Sequence, residues 1–491
     1  MKKTYNHSSL VGRFLLIVLT FFSITLYAQV GIGTTNPNAS SVLDISSTSQ
    51  GLLTPRMTTA QRNAIAAPAE SLLVFDTTLD AFYFFDTTAG AWVKLANEGT
   101  IKRNNYKLVK SVADLAPELV AGGGSKYLLQ TNTFYEINGL ISLAYPIDLN
   151  EAYVSGLDAN EDILTKATGP IFQGTNGGSI RNVTLTGGGS AFDISGGSSL
   201  LVQNTIVANF PNIGSISNVD LYFGNIVQFV GNADGITYTS IGNLLLNNQA
   251  WLDSNNGTFE TFTGTFGLIE KVSGFSTLNG SDIAIDVSSN PTVGSGVLQG
   301  TVFSGTTAAP TGYIKKYATG SYPGYNFTNA WTVNCPGIPR ESDDVATGDI
   351  NLSAAVGSGD LTTFTGTGTS SRTKVAGTTT SNNLFRFENV GNNRIVYKGA
   401  KKRYFQVNAS VSYQATDDVT IILYIAKNGT VISETKVYGR GASGFFVAQG
   451  ILALPIVGTI ELSQNDYIEI WAERYSGSGN MNTVSLNLTA R

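Results

Sequence analysis

The residues best suited to chemistry in this 491-residue chain are carboxylates. Asp158, Glu161 and Asp162 crowd the stretch GLDANED, and Asp220 follows further along. Paired carboxylates can cleave a glycosidic bond, one as acid and the other as base or nucleophile. Tyr222, Phe223 and Trp251 could then stack on sugar rings. A lyase would also need a cation to neutralise a substrate acid, and Lys166 and Arg181 are the only central candidates near the cluster. The competing reading makes Asp158 to Asp162 a solvated turn and places the aromatics in a core or subunit interface. The sparse, scattered acids favour that second reading. No catalytic residue is therefore assigned, and Asp158, Glu161, Asp162 and Asp220 stand only as candidates for a depolymerase alternative.

Composition removes other chemistries. The only histidine, His7, lies in a stretch that reads as an export signal. Lys2, Lys3 and Arg13 supply positive charge, the apolar run FLLIVLTFFSITL follows, and Ala28 offers a small residue at a cleavage point. That run of about 13 residues falls short of the roughly 20 needed to span a bilayer. The expectation is a signal peptide over 1–28, export through the general pathway, and no transmembrane segment in a mature chain starting near Gln29. Such a chain has no histidine for a catalytic triad, a metal site or a pH switch. Cys335 has no cysteine to pair with, and a buried structural role is expected for it in WTVNCPGIP. Losing three basic residues with the leader leaves 27 basic against 35 acidic, a net of −8. That balance lacks the basic footprint of a nucleic-acid binder. No cofactor and no metal site are indicated.

The elements that would carry any site are strands. Glycine is abundant (54 residues) and charged residues make up only 13%, which suits short strands joined by tight turns. An all-β fold follows, with a small N-terminal β-rich module at 29–96, a β-helix shaft at 105–305, a connector with a Gly/Thr/Ser-rich linker at 306–375, and a C-terminal domain at 376–491. In the first module Thr58 to Ile65 reads as a short helix, capped by Thr59 and stopped by Pro68, and Pro55-Arg56 reads as a turn. The segments VGIGTTNPNASSVLDI, GLLTPRMTTAQRNAI, SLLVFDTTLDAFYFFD and AWVKL resemble a module found at the start of Bacteroidetes exported proteins and in tail-fibre-like proteins. The resemblance implies attachment or structure, and brings no catalytic residues.

In the centre, three segments share Ser-Ile-x-Asn-(Val/Leu)-x-Leu, beginning at Ser179, Ser215 and Ser240. Short alternating pieces closed by Gly, Asn or Ser surround them, among them LLVQNTIVANF, GNIVQFVGN and SDIAIDVSS. Coils stacked so that each buries its neighbour's apolar face would produce this pattern. Asn182, Asn218 and Asn243 would then occupy equivalent turns and form an amide ladder. The irregular spacing argues for a right-handed parallel β-helix, with a β-sandwich as the alternative. The pattern resembles the pectate-lyase-like helices of phage tailspikes and bacterial adhesins, an analogy of fold.

The C-terminal region alternates clearly at Phe405, Val407, Ala409, Val411 and Tyr413, and Asn428-Gly429 marks a hairpin. KGAKKRYFQV, the IAKNG hairpin, LSQNDYIEIWAE and SLNLTAR resemble the C1q/tumour-necrosis-factor-like jelly roll. That family implies a compact homotrimer whose outer faces recognise ligands. The run Ile451 to Val457 is apolar throughout, as expected of a strand covered on both sides, and a charge at Leu454 is expected to break the trimer. The combined expectation is a secreted or cell-surface trimeric fibre or adhesin, binding a glycan or protein partner through its C-terminal domain. A polysaccharide depolymerase working on the β-helix face and a phage-derived tail-fibre component are the alternatives.

Overall fold

The structure, a computed structural model, describes residues 29–95, 105–306, 312–441 and 450–491. The expected signal peptide lies outside the described residues. The chain is all-β and divides into two compact units, Met1–Arg103 and Asn104–Arg491. Among the described residues no helix is long and apolar enough to cross a membrane.

In the first unit, Val30–Ile32 pairs with Leu43–Ile45, and Arg56–Met57, Leu73–Asp76, Ala81–Asp86 and Ala91–Lys94 form a four-stranded sheet. The short helix Thr59–Asn63 is present, but its cap is Thr58 and not Thr59. Thr58 exchanges bonds with Gln61 in a capping box, the arrangement that satisfies two orphan donors at once. Thr59 instead donates its hydroxyl to Asp76 Oδ2 at 2.8 Å. Pro55-Arg56 is a strand entry rather than a turn, because Pro55 O accepts the N–H of Phe75. Buried Arg62 pairs with Asp76 at 3.2 Å and lies 3.9 Å over the Tyr83 ring.

The second unit opens as a parallel β-solenoid of about 10 turns. Two parallel sheets, one of 14 described strands and one of nine, share a single apolar core. The larger sheet is bent at a corner where each coil places a residue in left-handed conformation. Asn182, Asn204, Ile226, Asn248, Ser273 and Gly300 fall in register there, with φ from +48° to +70°. Asn and Gly adopt this conformation readily, whereas Ile226 is strained by its branched Cβ. Below the first coil, the helix Ala116–Ala121 covers the core, and its Glu118 is held by Tyr135 OH (2.9 Å) and Lys107.

The stretch expected as connector and linker is neither. Trp331–Asn334 pairs in parallel with Thr292–Gln299 and completes the last coil. Gly348–Ser353 and Asp360–Thr362 pair antiparallel with the terminal strand Met481–Ala490, and Thr373–Lys374 with Tyr467–Gly477. The Gly/Thr/Ser composition could not reveal this, since the partners lie more than 90 residues away. With them, two antiparallel sheets of five and seven described strands close over one core that includes Phe405, Val407, Val411 and Tyr413. Asn428 and Gly429 take φ of +51° and +76° between paired Lys427 and Thr430, the twist that a two-residue hairpin requires.

Candidate functional site

The acidic stretch is a turn. Asp158 Oδ1 accepts the backbone N–H of Asn160 at 2.9 Å, and Glu161 is exposed. Asp162 is buried and accepts the N–H groups of Gly139 (2.7 Å), Leu157 (2.7 Å) and Asp158 (3.0 Å). Burial pushes the Asp162 carboxyl up, but the bonds from Gly139, Asp158 and Leu157 outweigh it and hold the pKa below its ordinary 3.8. Such a carboxylate is saturated by donors and poorly placed to move a proton. Asp220 stands exposed at a different corner of a later coil, before the strand Leu221–Val230. The structure thus brings Asp158 and Asp162 together as a turn and leaves Asp220 apart from them.

Asp162→Asn is expected to cost about 1–3 kcal/mol near neutral pH, because three donors lose their charged acceptor. A depressed carboxylate pKa contributes stability that is present above the unfolded value and lost as pH falls through the folded one. The gap between wild type and variant should therefore close as pH drops below about 4. Denaturant unfolding at several pH values measures it, and a gap independent of pH would refute the assignment.

The aromatics split by face. Tyr222 and Trp251 are fully buried in the solenoid core, so neither can stack on a sugar, whereas Phe223 points outward and is half-buried. Lys166 is buried with its ammonium on Thr168 O, and exposed Arg181 donates to Ser179 Oγ at 3.2 Å. Among the described residues no group of three or more His, Cys, Asp or Glu could hold a metal ion. Cys335 is buried, and that burial raises its thiol pKa.

The three repeat asparagines are not equivalent. Asn182 sits at the bend of the larger sheet. Asn218 sits at the end of Gly214–Ser217 in the smaller sheet and aligns with Ser240 and Gly264, all at positive φ. Asn243 begins the strand Asn243–Trp251 opposite Leu221. Inward apolar residues flank all three (Ile180 and Val183, Ile216 and Val219, Ile241 and Leu244), but only Asn182 and Asn218 are left-handed. One local motif therefore fits different corners, and the chance match displaced the third copy by three residues. Amide bonds between neighbouring coils instead join Asn225 with Asn247, Asn150 with Asn176, and, in the core, Asn232 with Asn255. Asn232 and Asn255 are fully buried, with Asn232 Nδ2 donating to Asn255 Oδ1 at 2.9 Å and Asn255 Nδ2 to Phe229 O at 2.8 Å. Sequence reasoning missed the core pair, although both residues sit at turn-like stretches, VGNADG and DSNNG.

Surface, not a cleft, is the prominent feature. The first unit leaves Val30, Ile32, Val42, Leu43, Leu52 and Leu53 exposed. On the edge strand Ile451–Leu462 of the C-terminal sheets, Leu452, Leu454 and Ile456 face the core while Ile451, Ala453, Pro455 and Val457 face outward. Both faces are apolar, which is why alternation could not be read from the sequence. Leu454 belongs to the core face, so a charge there would disturb the fold itself.

By structure, the chain is similar to the enzymatically active domain of tailspike protein 4 of bacteriophage CBA120, at 10% identity over 89% of this chain and 77% of that one, with a TM-score of 0.21. It is also similar to murine APRIL, at 12% identity over 30% of this chain and 99% of that one, with a TM-score of 0.19. No curated protein sequence matches the chain. Residues 31–108 match the family described as the phage tail like trimerisation region.

Proposed function

We propose that this protein is a homotrimeric, tail-fibre-like protein, exported and held at or released from the cell surface. In this reading the N-terminal module assembles three chains, the solenoid forms a shaft, and the C-terminal sheets, taken as a C1q-like jelly roll, present a face to a glycan or protein partner. The observation that carries it is the match of 31–108 to a trimerisation region, over a module whose apolar residues Val30, Ile32, Val42, Leu43, Leu52 and Leu53 are exposed. Val30 and Leu43 adjoin across paired strands, and adjoining exposed apolar side chains mark interaction surfaces.

The mass in solution of the chain lacking 1–28 tests the reading. Three chains per particle are expected at micromolar concentration, and a stable monomer would overturn it. Val457 is 64% exposed on the outward apolar row. Val457→Asp should therefore leave the fold intact while raising the trimer's dissociation constant at least about tenfold, a 1.4 kcal/mol effect. A Val457→Asp protein that assembles like wild type would remove this row from the interface.

A further inference from the structure

In the C-terminal strand Tyr467–Gly477, aromatic and acidic side chains alternate on one face. Ile468, Ile470 and Ala472 fill the core, so Tyr467, Glu469, Trp471 and Glu473 point outward from the seven-stranded sheet. Tyr475 follows at a register shift and meets Tyr438 edge to face at 5.6 Å. Neighbouring segments lay cations over this row. Val375 and Ile395 belong to the core, which turns Lys374 and Arg394 to the outer side, and Lys374 stands in register with Trp471. Glu469 is 1% exposed and accepts Arg394 on Oε1 at 2.7 Å and the Trp471 indole N–H on Oε2 at 2.9 Å. Glu473 is 4% exposed and accepts Arg372 Nε at 2.7 Å and the Tyr424 hydroxyl at 2.9 Å. Arg394 also lies 4.1 Å over the Tyr467 ring.

Lys374 completes the cluster at 3.5 Å from a Glu469 oxygen that Arg394 already occupies. Three cations thus stand on two carboxylates, a surplus of one positive charge in a chain whose net charge is −5. Further out, Lys398 with Glu388 and Arg440 with Asp418 pair one to one. The two acids are sealed beneath the surface, whereas the side chains of Arg372, Lys374 and Arg394 stay 28%, 31% and 33% exposed. Stability does not call for this arrangement. Buried carboxylates cost desolvation, and β-branched residues would cover a sheet without that cost. What the carboxylates achieve is to fix three cations around the half-buried Trp471 ring, facing water. Tyr467 and Trp471 stand about 13 Å apart along the strand, so a small anion meets one of them and an extended chain meets both. The matching partner is a polymer that offers spaced carboxylates together with flat C–H faces for the rings. An acidic peptide supplies only the first. The outward row of Ile451 to Val457, assigned above to contacts between chains, lies on the other sheet, so assembly leaves this face open.

We propose that this face binds an acidic polysaccharide built from uronic acids. Trp471 and Tyr467 lie against sugar rings, while Lys374 and the guanidinium groups of Arg372 and Arg394 meet the carboxylates. The inference rests on the reading in which the C-terminal sheets meet a glycan, and it names the surface and the chemical class.

Titration calorimetry of the chain lacking 1–28 against polygalacturonate, dextran and poly-L-glutamate tests it. Polygalacturonate should bind, dextran should not, and poly-L-glutamate should bind at least about tenfold more weakly than polygalacturonate. Poly-L-glutamate binding as tightly as polygalacturonate would reduce the face to bare charge and overturn the proposal. Dextran binding without polygalacturonate binding would keep the glycan reading and overturn the inference alone. Lys374→Gln removes the surplus cation from a half-buried surface position and should weaken polygalacturonate at least about tenfold. Trp471→Ala should weaken it to a similar degree, and Lys374→Gln decides where Trp471→Ala does not fold. Lys402→Gln, at an exposed lysine beside the other sheet, should bind like wild type. Wild-type affinity in Lys374→Gln would place the polysaccharide elsewhere and sink the inference, leaving the glycan reading in place. The site lies within one chain, so the solution mass that decides the homotrimer reading does not decide this one.

Discussion

Replacing Glu260 alone with leucine should destabilise the folded protein by about 3–5 kcal/mol, the effect of stranding one charge of a buried pair. Glu260 occupies an inward position of the smaller sheet, between Ile236 and Ile285. Lys271 occupies an inward position of the larger sheet, between Leu246 and Leu298. Their side chains meet across the solenoid core at 2.9 Å, each 1% exposed. Lys271 Nζ also lies 4.8 Å from the Phe259 ring centre. Burial pushes the Glu260 carboxyl up, and the Lys271 ammonium only partly offsets it. One oxygen of Glu260, Oε2, has no protein hydrogen-bond partner. Such a pair costs desolvation on both sides, so replacing both residues should behave quite differently from replacing one. Glu260→Leu/Lys271→Leu should be neutral or stabilising by about 1–4 kcal/mol, since the flanking inward positions are already aliphatic. Denaturant unfolding at fixed protein concentration, followed by tryptophan fluorescence, measures the double-mutant cycle. A loss below about 1 kcal/mol for Glu260→Leu, the size seen for exposed pairs, would mean that water reaches this pair.

Arg386→Leu should be of similar size, about 3–5 kcal/mol, because it strands Asp343 in a nearly dry junction. The guanidinium donates to Asn329 O at 2.6 Å, to Trp331 O and to Glu341 O at 3.3 Å, and pairs with Asp343 at 3.4 Å. Three of these partners belong to the end of the solenoid and its exit, while Arg386 leads into the strand Phe387–Asn389 of the C-terminal sheets. The backbone of Arg386 itself stands at φ +58°, a conformation that costs energy for a residue with a Cβ and persists only where its surroundings enforce it. Tyr325 stacks on Phe385 at 3.9 Å beside it. Arg386, together with the Phe385 ring beside it, therefore fastens the C-terminal sheets to the last coil. Arg386→Leu should split a joint unfolding transition into separate solenoid and sandwich transitions. Arg386→Lys keeps the charge but lacks the planar fork, so it should restore only part of the loss. Unchanged, single-step melting of Arg386→Leu would show that the junction holds without it.

Fold class was legible in the amino-acid sequence because strand length, turn residues and period-2 alternation are local properties. The solenoid's short alternating pieces, the Asn428-Gly429 hairpin, the buried face of Phe405 to Tyr413 and the interior place of Cys335 could all be read that way. Register was not local. Asn182, Asn218 and Asn243 share a motif but belong to three different places on the coil, because inward apolar residues flank a surface residue at the same spacing in each. Alternation shows that Tyr222 and Phe223 face opposite ways without showing which is inside, and only the core decides that Tyr222 is. Between Ile451 and Val457 even this failed, since residues on both faces are apolar. The stretch 306–375 reads as connector and linker, yet Gly348–Ser353, Asp360–Thr362 and Thr373–Lys374 within it become sheet through partners at Met481–Ala490 and Tyr467–Gly477. Lys271 and Glu260 carry no local sign of burial, for a charge in an alternating strand ordinarily marks the wet side. The amino-acid sequence by itself determined that strands would stack in coils and close in sheets. Tertiary structure alone decided which coil each residue joins, which face it shows, and which charges the core encloses, because those depend on pairings between residues far apart in the chain.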